Sequence, residues 1–330
     1  MPNFVSRLGD RQLPHYGQFV LLALLLMAAL ECRHIANDFS RGQRAQTYRE
    51  QEIRPATVMS FLPASIRHCE RAIAICVYAF YVFAALWALQ VGIPWTPWCA
   101  VLAFTGAMSI HFENMNWLTH ATHVENILLV LYAIWYTAYG REIREALRAG
   151  TFWTTSLYPR WVFAASVAYV CIFYTNAGMN KLVFSGFSWV NGTSLQLWAY
   201  CFGDEHSPVR NLLIAHRWVA VTLQVFTLIA ESCAFLAIPF PRLRPLFGLA
   251  LLGFHVGSMR LFGYRFEANA VILILVLLPL NRWITQLAIR KCESNPPAPV
   301  PVRSTSPFMQ AVLARIDIFG RRRAAEPVSV

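Results

Sequence analysis

The sequence predicts an all-α membrane protein, a polytopic bundle of about eight transmembrane helices (seven to nine) with a re-entrant or interfacial segment. Three observations carry that expectation. Hydrophobic residues make up 57% of the 330 and charged residues only 14%, where a soluble domain has about a quarter charged. Mean hydropathy is +0.43. Uncharged apolar stretches long enough to cross a ~30 Å hydrocarbon core recur along the chain, and in lipid such stretches satisfy their own backbone hydrogen bonds as helices.

The spans can be taken in order. The first, about Tyr16–Leu30, follows Arg7 and Arg11. Its sequel Glu31-Cys32-Arg33-His34 is a poor cleavage site, so it reads as a retained span rather than a signal peptide. The stretch Arg33–Arg71 is too polar to cross and is expected to include an interfacial helix. Further spans are expected near Ala72–Val91, Trp95–His111, Val124–Gly140, Trp161–Gly178, Trp218–Pro239, Pro245–Phe262 and Ala268–Leu280. Gly92-Ile93-Pro94 makes a tight hairpin of the second and third. Ser185–Phe202, interrupted by Gly186, Asn191 and Gly192, is the expected re-entrant or interfacial piece.

Residues 1–291 form the expected membrane domain, and 292–330 a Pro-rich linker and tail. In the tail Phe308, Val312, Ile316 and Phe319 recur at helical spacing before Arg321-Arg322-Arg323. That pattern suits either a basic amphipathic helix on the membrane surface or a disordered tail.

The net charge of +11 does not indicate a nucleic-acid partner, because the basic residues lie in loops and tail, where they suit orientation and anionic headgroups. The distribution of Lys and Arg favours both termini in the cytoplasm. Eight scattered cysteines include no C-x-x-C pair, so neither a disulfide framework nor a zinc site is expected. The nine histidines are too dispersed for the histidine boxes of a di-iron enzyme, and no metal is expected.

Antiparallel threading of these spans gathers ionisable groups at the membrane face opposite the N-terminus. His111, His120 and His123 lie at the third–fourth junction and Lys181 just after the fifth span; His255 and Arg260 lie late in the seventh, and Glu267 opens the eighth. Such groups usually face a cavity or one another. Of 28 basic residues 26 are arginine, and the two lysines are Lys181 and Lys291. A GC-rich genome that favours arginine codons would account for much of that bias. An amine, unlike a guanidinium, can lose its proton and act as a base. Lys181 therefore reads either as a base or as a side chain snorkelling to headgroups. Glu231, inside the sixth span without a sequence-adjacent cation, is either protonated or bonded to a neighbouring helix.

The segment Tyr174-Thr175-Asn176-Ala177-Gly178-Met179-Asn180-Lys181-Leu182, followed by Trp189-Val190-Asn191-Gly192, resembles the A-G-x-x-K-L…W-V-x-G signature of vitamin K-dependent gamma-carboxylases. The same signature marks their bacterial relatives, the horizontally transferred transmembrane (HTTM) domain proteins. Phe254-His255 with Leu261-Phe262-Gly263 is similar to the family's F-H…L-F motif, and Thr122-His123 to its Asn-His. The resemblance covers roughly residues 15–285. It implies Lys181 as the base that deprotonates a reduced, vitamin K-like quinone, with His123 assisting. His255, His120, Asn180 and Trp189 would contact the quinone, and oxygen and carbon dioxide would be co-substrates. Asn180 replaces the first lysine of the family's pair, and Thr122 replaces its Asn. Fewer than fifty residues follow the last span, so the expectation is hydroquinone oxygenation, coupled at most to modification of a small peptide. The alternative is a non-enzymatic partner of a peptide or small membrane protein in toxin maturation or immunity. Transport ranks last, since no inverted repeat is visible.

Overall fold

The computed structural model describes residues 16–41, 63–67, 69–115, 120–149, 159–263, 266–278 and 280. The linker and tail expected at 292–330 lie outside them, as does most of the polar stretch after the first span. Among the described residues every regular element is helical. The helices are α1 (Tyr16–Arg41), α2 (Ala64–Arg67), α3 (Glu70–Ala88), α4 (Trp95–Met115), α5 (His120–Ala138), α6 (Gly140–Arg148) and α7 (Arg160–Ser185). They continue as α8 (Thr193–Phe202), α9 (Pro208–Ala215), α10 (Arg217–Ser232), α11 (Arg244–Phe262) and α12 (Glu267–Leu277).

Among the described residues four segments are long and apolar enough to cross a membrane: Tyr16–Asn37, Arg71–Ala88, Trp161–Val190 and Pro241–Phe262. A fifth exists if Pro208–Ala215 and Arg217–Ser232, bent by 105° at their junction, are one broken span. This is fewer than the sequence suggested, although a helix stands at each expected position. Helices α4 and α5 have the length but carry Thr105, Ser109, His111, His123, Glu125 and Asn126, which dilute their apolarity. Helix α12 has 11 residues, about 16 Å at 1.5 Å per residue, roughly half a hydrocarbon core.

Helix α1 also runs past its expected end at Leu30. Glu31, Cys32 and Ile35 are all buried on its inner face, so a stretch that reads as polar continues the helix into the bundle. The turn through Gly92, Ile93 and Pro94 does join α3 and α4 as a hairpin; Thr96 Oγ1 donates to Val91 O at 2.8 Å and Arg144 of α6 donates to Ile93 O at 3.0 Å. Helices α1, α3, α4, α5, α7 and α12 share one core. Trp87 meets Tyr136 edge-on at 5.7 Å, Phe80 meets Phe104 at 5.3 Å, and the Tyr16 hydroxyl donates to the Leu275 carbonyl, tying α1 to α12. Outward-facing Tyr78, Val82, Leu102 and Ile172 are exposed, as lipid contact requires.

The expected interfacial segment resolves into a 3-10 turn, Gly186–Val190, and the short helix α8. A long side chain supplies each missing helix-end partner here. Arg210 Nε donates to Ala199 O at 2.9 Å and its terminal nitrogen to Tyr200 O at 3.2 Å, closing the end of α8. Gln196 Nε2 donates to Leu213 O and Ile214 O, closing α9. Ser207 caps the start of α9, with Pro208 at its first position.

Helix α10 runs back along α7 and meets a glycine closely at each end, Gly178 in α7 and Gly192 just before α8. A Cβ on Gly178 would lie 2.5 Å from Ser232 N and 2.9 Å from Glu231 Cβ, so only glycine lets the two backbones come this close. At the other end Gly192, at φ +84°, would place a Cβ 3.0 Å from Arg217 O, while its N–H donates to Gln224 Oε1 at 2.7 Å. Replacing Gly178 by Ala is expected to force α7 and α10 apart and to lower unfolding stability in detergent by roughly 1–3 kcal/mol. Gly257→Ala, where a Cβ meets nothing within 4 Å, should leave stability unchanged or slightly raised. Equal melting temperatures for the two variants would contradict the close approach.

Candidate functional site

The α7–α10 contact brings Lys181 to Glu231. Gly178 precedes Lys181 by one helical turn and so lies on the same face of α7; the approach it permits places the end of α10 beside the lysine. Lys181 Nζ donates to Glu231 Oε2 in an ion pair. The carboxylate side chain is 3% exposed and the lysine side chain 25%, so the pair is closed on the α10 side and partly open on the other. The ammonium also lies over two aromatic faces, 5.1 Å from the Trp189 ring and 5.9 Å from Phe254. Each ring offers its negative face to the cation.

A second polar group lies one step inward. Tyr174, two turns before Lys181 on α7, is buried and feels the charge of Glu231. Its hydroxyl sits 2.7 Å from His255 Nε2 on α11, and Asn269 Nδ2 of α12 stands 3.5 Å from the same nitrogen. An amide N–H can only donate, so the Asn269 contact requires a Nε2 that accepts. His255 is enclosed by Phe254 and Phe266, with ring centroids at 5.0 and 4.8 Å. Four helices thus contribute to one cluster, α7 with Tyr174 and Lys181, α10 with Glu231, α11 with His255 and α12 with Asn269.

Of the residues singled out in the sequence, Lys181, Trp189 and His255 are drawn together, the histidine through Tyr174 and Phe254. Asn180 is exposed on another face of α7. His123 is half-buried near the start of α5 and makes contacts of its own, but the partners of Lys181 are Glu231, Trp189 and Phe254. His120 opens α5, and its side chain lies outside the described residues. Arg260 and Glu267, gathered by the threading argument, are exposed at the ends of α11 and α12.

The residues that sequence reasoning missed are Tyr174, Asn269 and Glu231 as partner of Lys181. A signal existed for two of them. Tyr174 shares a helical face with Lys181 at seven residues' spacing, and a carboxylate within an apolar run demands a partner on another helix. Among the described residues no group of three or more His, Cys, Asp or Glu could hold a metal ion.

Fold and site together define a protein that is all-helical among the described residues, with several helices long and apolar enough to cross a membrane and a cross-helix ion pair set among aromatic rings. No family model, curated protein or solved structure matches the chain.

Because Glu231 is almost wholly enclosed, its carboxylate depends on Lys181. Lys181→Met is expected to strand a buried charge and destabilise the protein by about 3 kcal/mol or more. Adding Glu231→Gln should recover much of that loss. Unfolding of the single and double variants in detergent checks this, and strictly additive effects would show that the two side chains are not coupled.

Proposed function

We propose that the protein is a membrane-embedded enzyme in which Lys181 takes a proton from the acidic hydroxyl of a lipid-soluble reduced quinone. The observation that carries this reading is the Lys181 amine, held by a buried carboxylate between two aromatic rings and still open on one side. The likeness of Ala177-Gly178-Met179-Asn180-Lys181-Leu182 and Trp189-Val190-Asn191-Gly192 to the carboxylase and HTTM signature supports the same role.

The residues present suit such a group. Trp189 and Phe254 would offer flat apolar surfaces to a quinone ring, and the partly open lysine amine lies against both. A reduced quinone would supply an acidic hydroxyl and, with oxygen and carbon dioxide as co-substrates, the oxidation that drives carboxylation in the family this sequence resembles. Before Lys181 can act, the proton that it holds in the ion pair must first pass to Glu231 Oε2, its contact partner. The freed amine then accepts the hydroxyl's proton, and release of the proton from Glu231 restores the carboxylate that stabilises the ammonium just formed. Tyr174 and His255 hold a second exchangeable proton immediately behind the carboxylate. His123 belongs to the proposal as a group at the same membrane face. The protein would work in a bacterial inner membrane with both termini cytoplasmic, on a small peptide or membrane protein if carboxylation follows.

Lys181→Arg is the discriminating variant. Arginine keeps the ion pair with Glu231 and hence the fold, but a guanidinium does not give up its proton. In nanodiscs Lys181→Arg should match the wild type in thermal stability and lose hydroquinone turnover by about a hundredfold or more. Wild-type turnover in that variant would remove Lys181 from the chemistry. A stable complex with a peptide, unaffected by the substitution, would support a non-enzymatic partner role instead.

A further inference from the structure

The paired helices α8 and α9 take no part in the Lys181 cluster, and their direction sets them apart from the helix that follows. Helix α9 meets α10 at 105°. Helix α10 packs along α7, which belongs to the candidate span Trp161–Val190, so α9 runs across the direction in which that span crosses. Helix α8 lies beside α9 in antiparallel register. Gln196 reaches Leu213 and Ile214, and one turn further along α8 the Ala199 and Tyr200 carbonyls accept from Arg210. Both helices therefore lie across the span. With 10 and 8 residues they are about 15 and 12 Å long, well short of a hydrocarbon core of about 30 Å.

The outward residues of this pair are large and apolar. Leu197 and Phe202 are 59% and 60% exposed, and Trp198, Tyr200, Val209 and Leu212 are exposed beside them. Charge is confined to the connection between the helices, where Asp204, Glu205 and His206 are all exposed. Two carboxylates are costly at bilayer depth, which argues against a hairpin whose tip enters the core. A patch of this size is equally ill suited to water. The backbone is prepared for a setting poor in water: carbonyls near the C-terminal ends of α8 and α9 accept from the Arg210 and Gln196 side chains, as lipid requires. Tryptophan and tyrosine are the side chains that settle where hydrocarbon meets headgroup.

We propose that α8 and α9 lie flat in the lipid leaflet at the C-terminal end of α7, with their apolar residues against acyl chains just below the headgroups and the 204–206 connection in water. Lipid is the occupant because the patch follows directly on Phe184 and Phe187, exposed at the end of the same candidate span. In this arrangement α9 is a surface helix and adds no length to a crossing by α10. The inference does not depend on the chemistry of Lys181.

Photoactivatable phospholipids test it on the full-length protein in nanodiscs. One lipid carries a diazirine on its acyl chain close to the glycerol, and another carries it at the chain end, near the bilayer centre. Mass spectrometry then locates the label. Residues 193–202 and 208–215 should take several-fold more label from the first lipid than from the second, whereas α7 should take label from both. Glu205→Cys should react readily with a charged maleimide without detergent. Equal or greater labelling of α8 and α9 by the deeper lipid would overturn the proposal, as would protection of Glu205→Cys from the charged reagent. So would a lack of lipid label on both helices when α7 is labelled, which would give the face to a second copy of the chain or to another protein.

Discussion

The approach of α10 to α7 across Gly178 is the constraint on which the candidate site depends. With no side chain there, the backbone of Ser232 comes closer than any Cβ would allow. Glu231 is carried to Lys181 by the same approach, and Gly192 repeats the device at the far end of α10, against Arg217. Between the two glycines the contact is fastened by side chains. Gln224 accepts from Gly192 N and donates to Ser194 Oγ at 2.8 Å, and Arg217 donates to Asn191 O at 2.9 Å. Just past Glu231, the Thr175 hydroxyl of α7 accepts from Phe235 N at 2.9 Å. A helix held at both ends cannot slide, and a lysine on its neighbour therefore meets one carboxylate in one geometry.

That fixed geometry matters because the carboxylate has nowhere else to go. Enclosed on α10, Glu231 is supported by the Lys181 ammonium and by little else, while Lys181 retains a partly open side between Trp189 and Phe254. Asymmetric enclosure of this kind separates two tasks: the closed partner sets the charge balance, and the open partner meets whatever enters. Tyr174, His255 and Asn269 extend the polar cluster across three helices behind the carboxylate.

Much of the architecture was legible in the residues. Composition alone announces a helical membrane protein, and Gly92-Ile93-Pro94 marks the α3–α4 hairpin. Antiparallel threading placed Lys181 and His255 at one face because that inference needs only the order of the spans. What escaped depends on contacts between distant helices. The ion pair joins residues fifty positions apart, and no period within either helix reveals it. The number of spans differs for another reason: α4 and α5 have the length but carry Thr105, Ser109, His111, His123, Glu125 and Asn126 among their apolar residues, and α12 has 11 residues, so fewer helices than expected are long and apolar enough to cross. The end of α1 was misplaced because Glu31, Cys32 and Ile35 look like a polar exit but form a buried stripe. The signature glycines, by contrast, were visible as letters, and their steric purpose appears only once α10 lies against them.

With two lysines in the whole sequence, solid-state magnetic resonance in lipid bilayers can address the central contact with almost no ambiguity. Lysine labelled at its amine nitrogen and glutamate labelled at its carboxyl carbon should give one strong through-space correlation, between Lys181 and Glu231, retained when Lys291 is replaced by Arg and lost in Glu231→Gln. A Lys181 amine that correlates with no carboxyl carbon and exchanges freely with water would contradict the account.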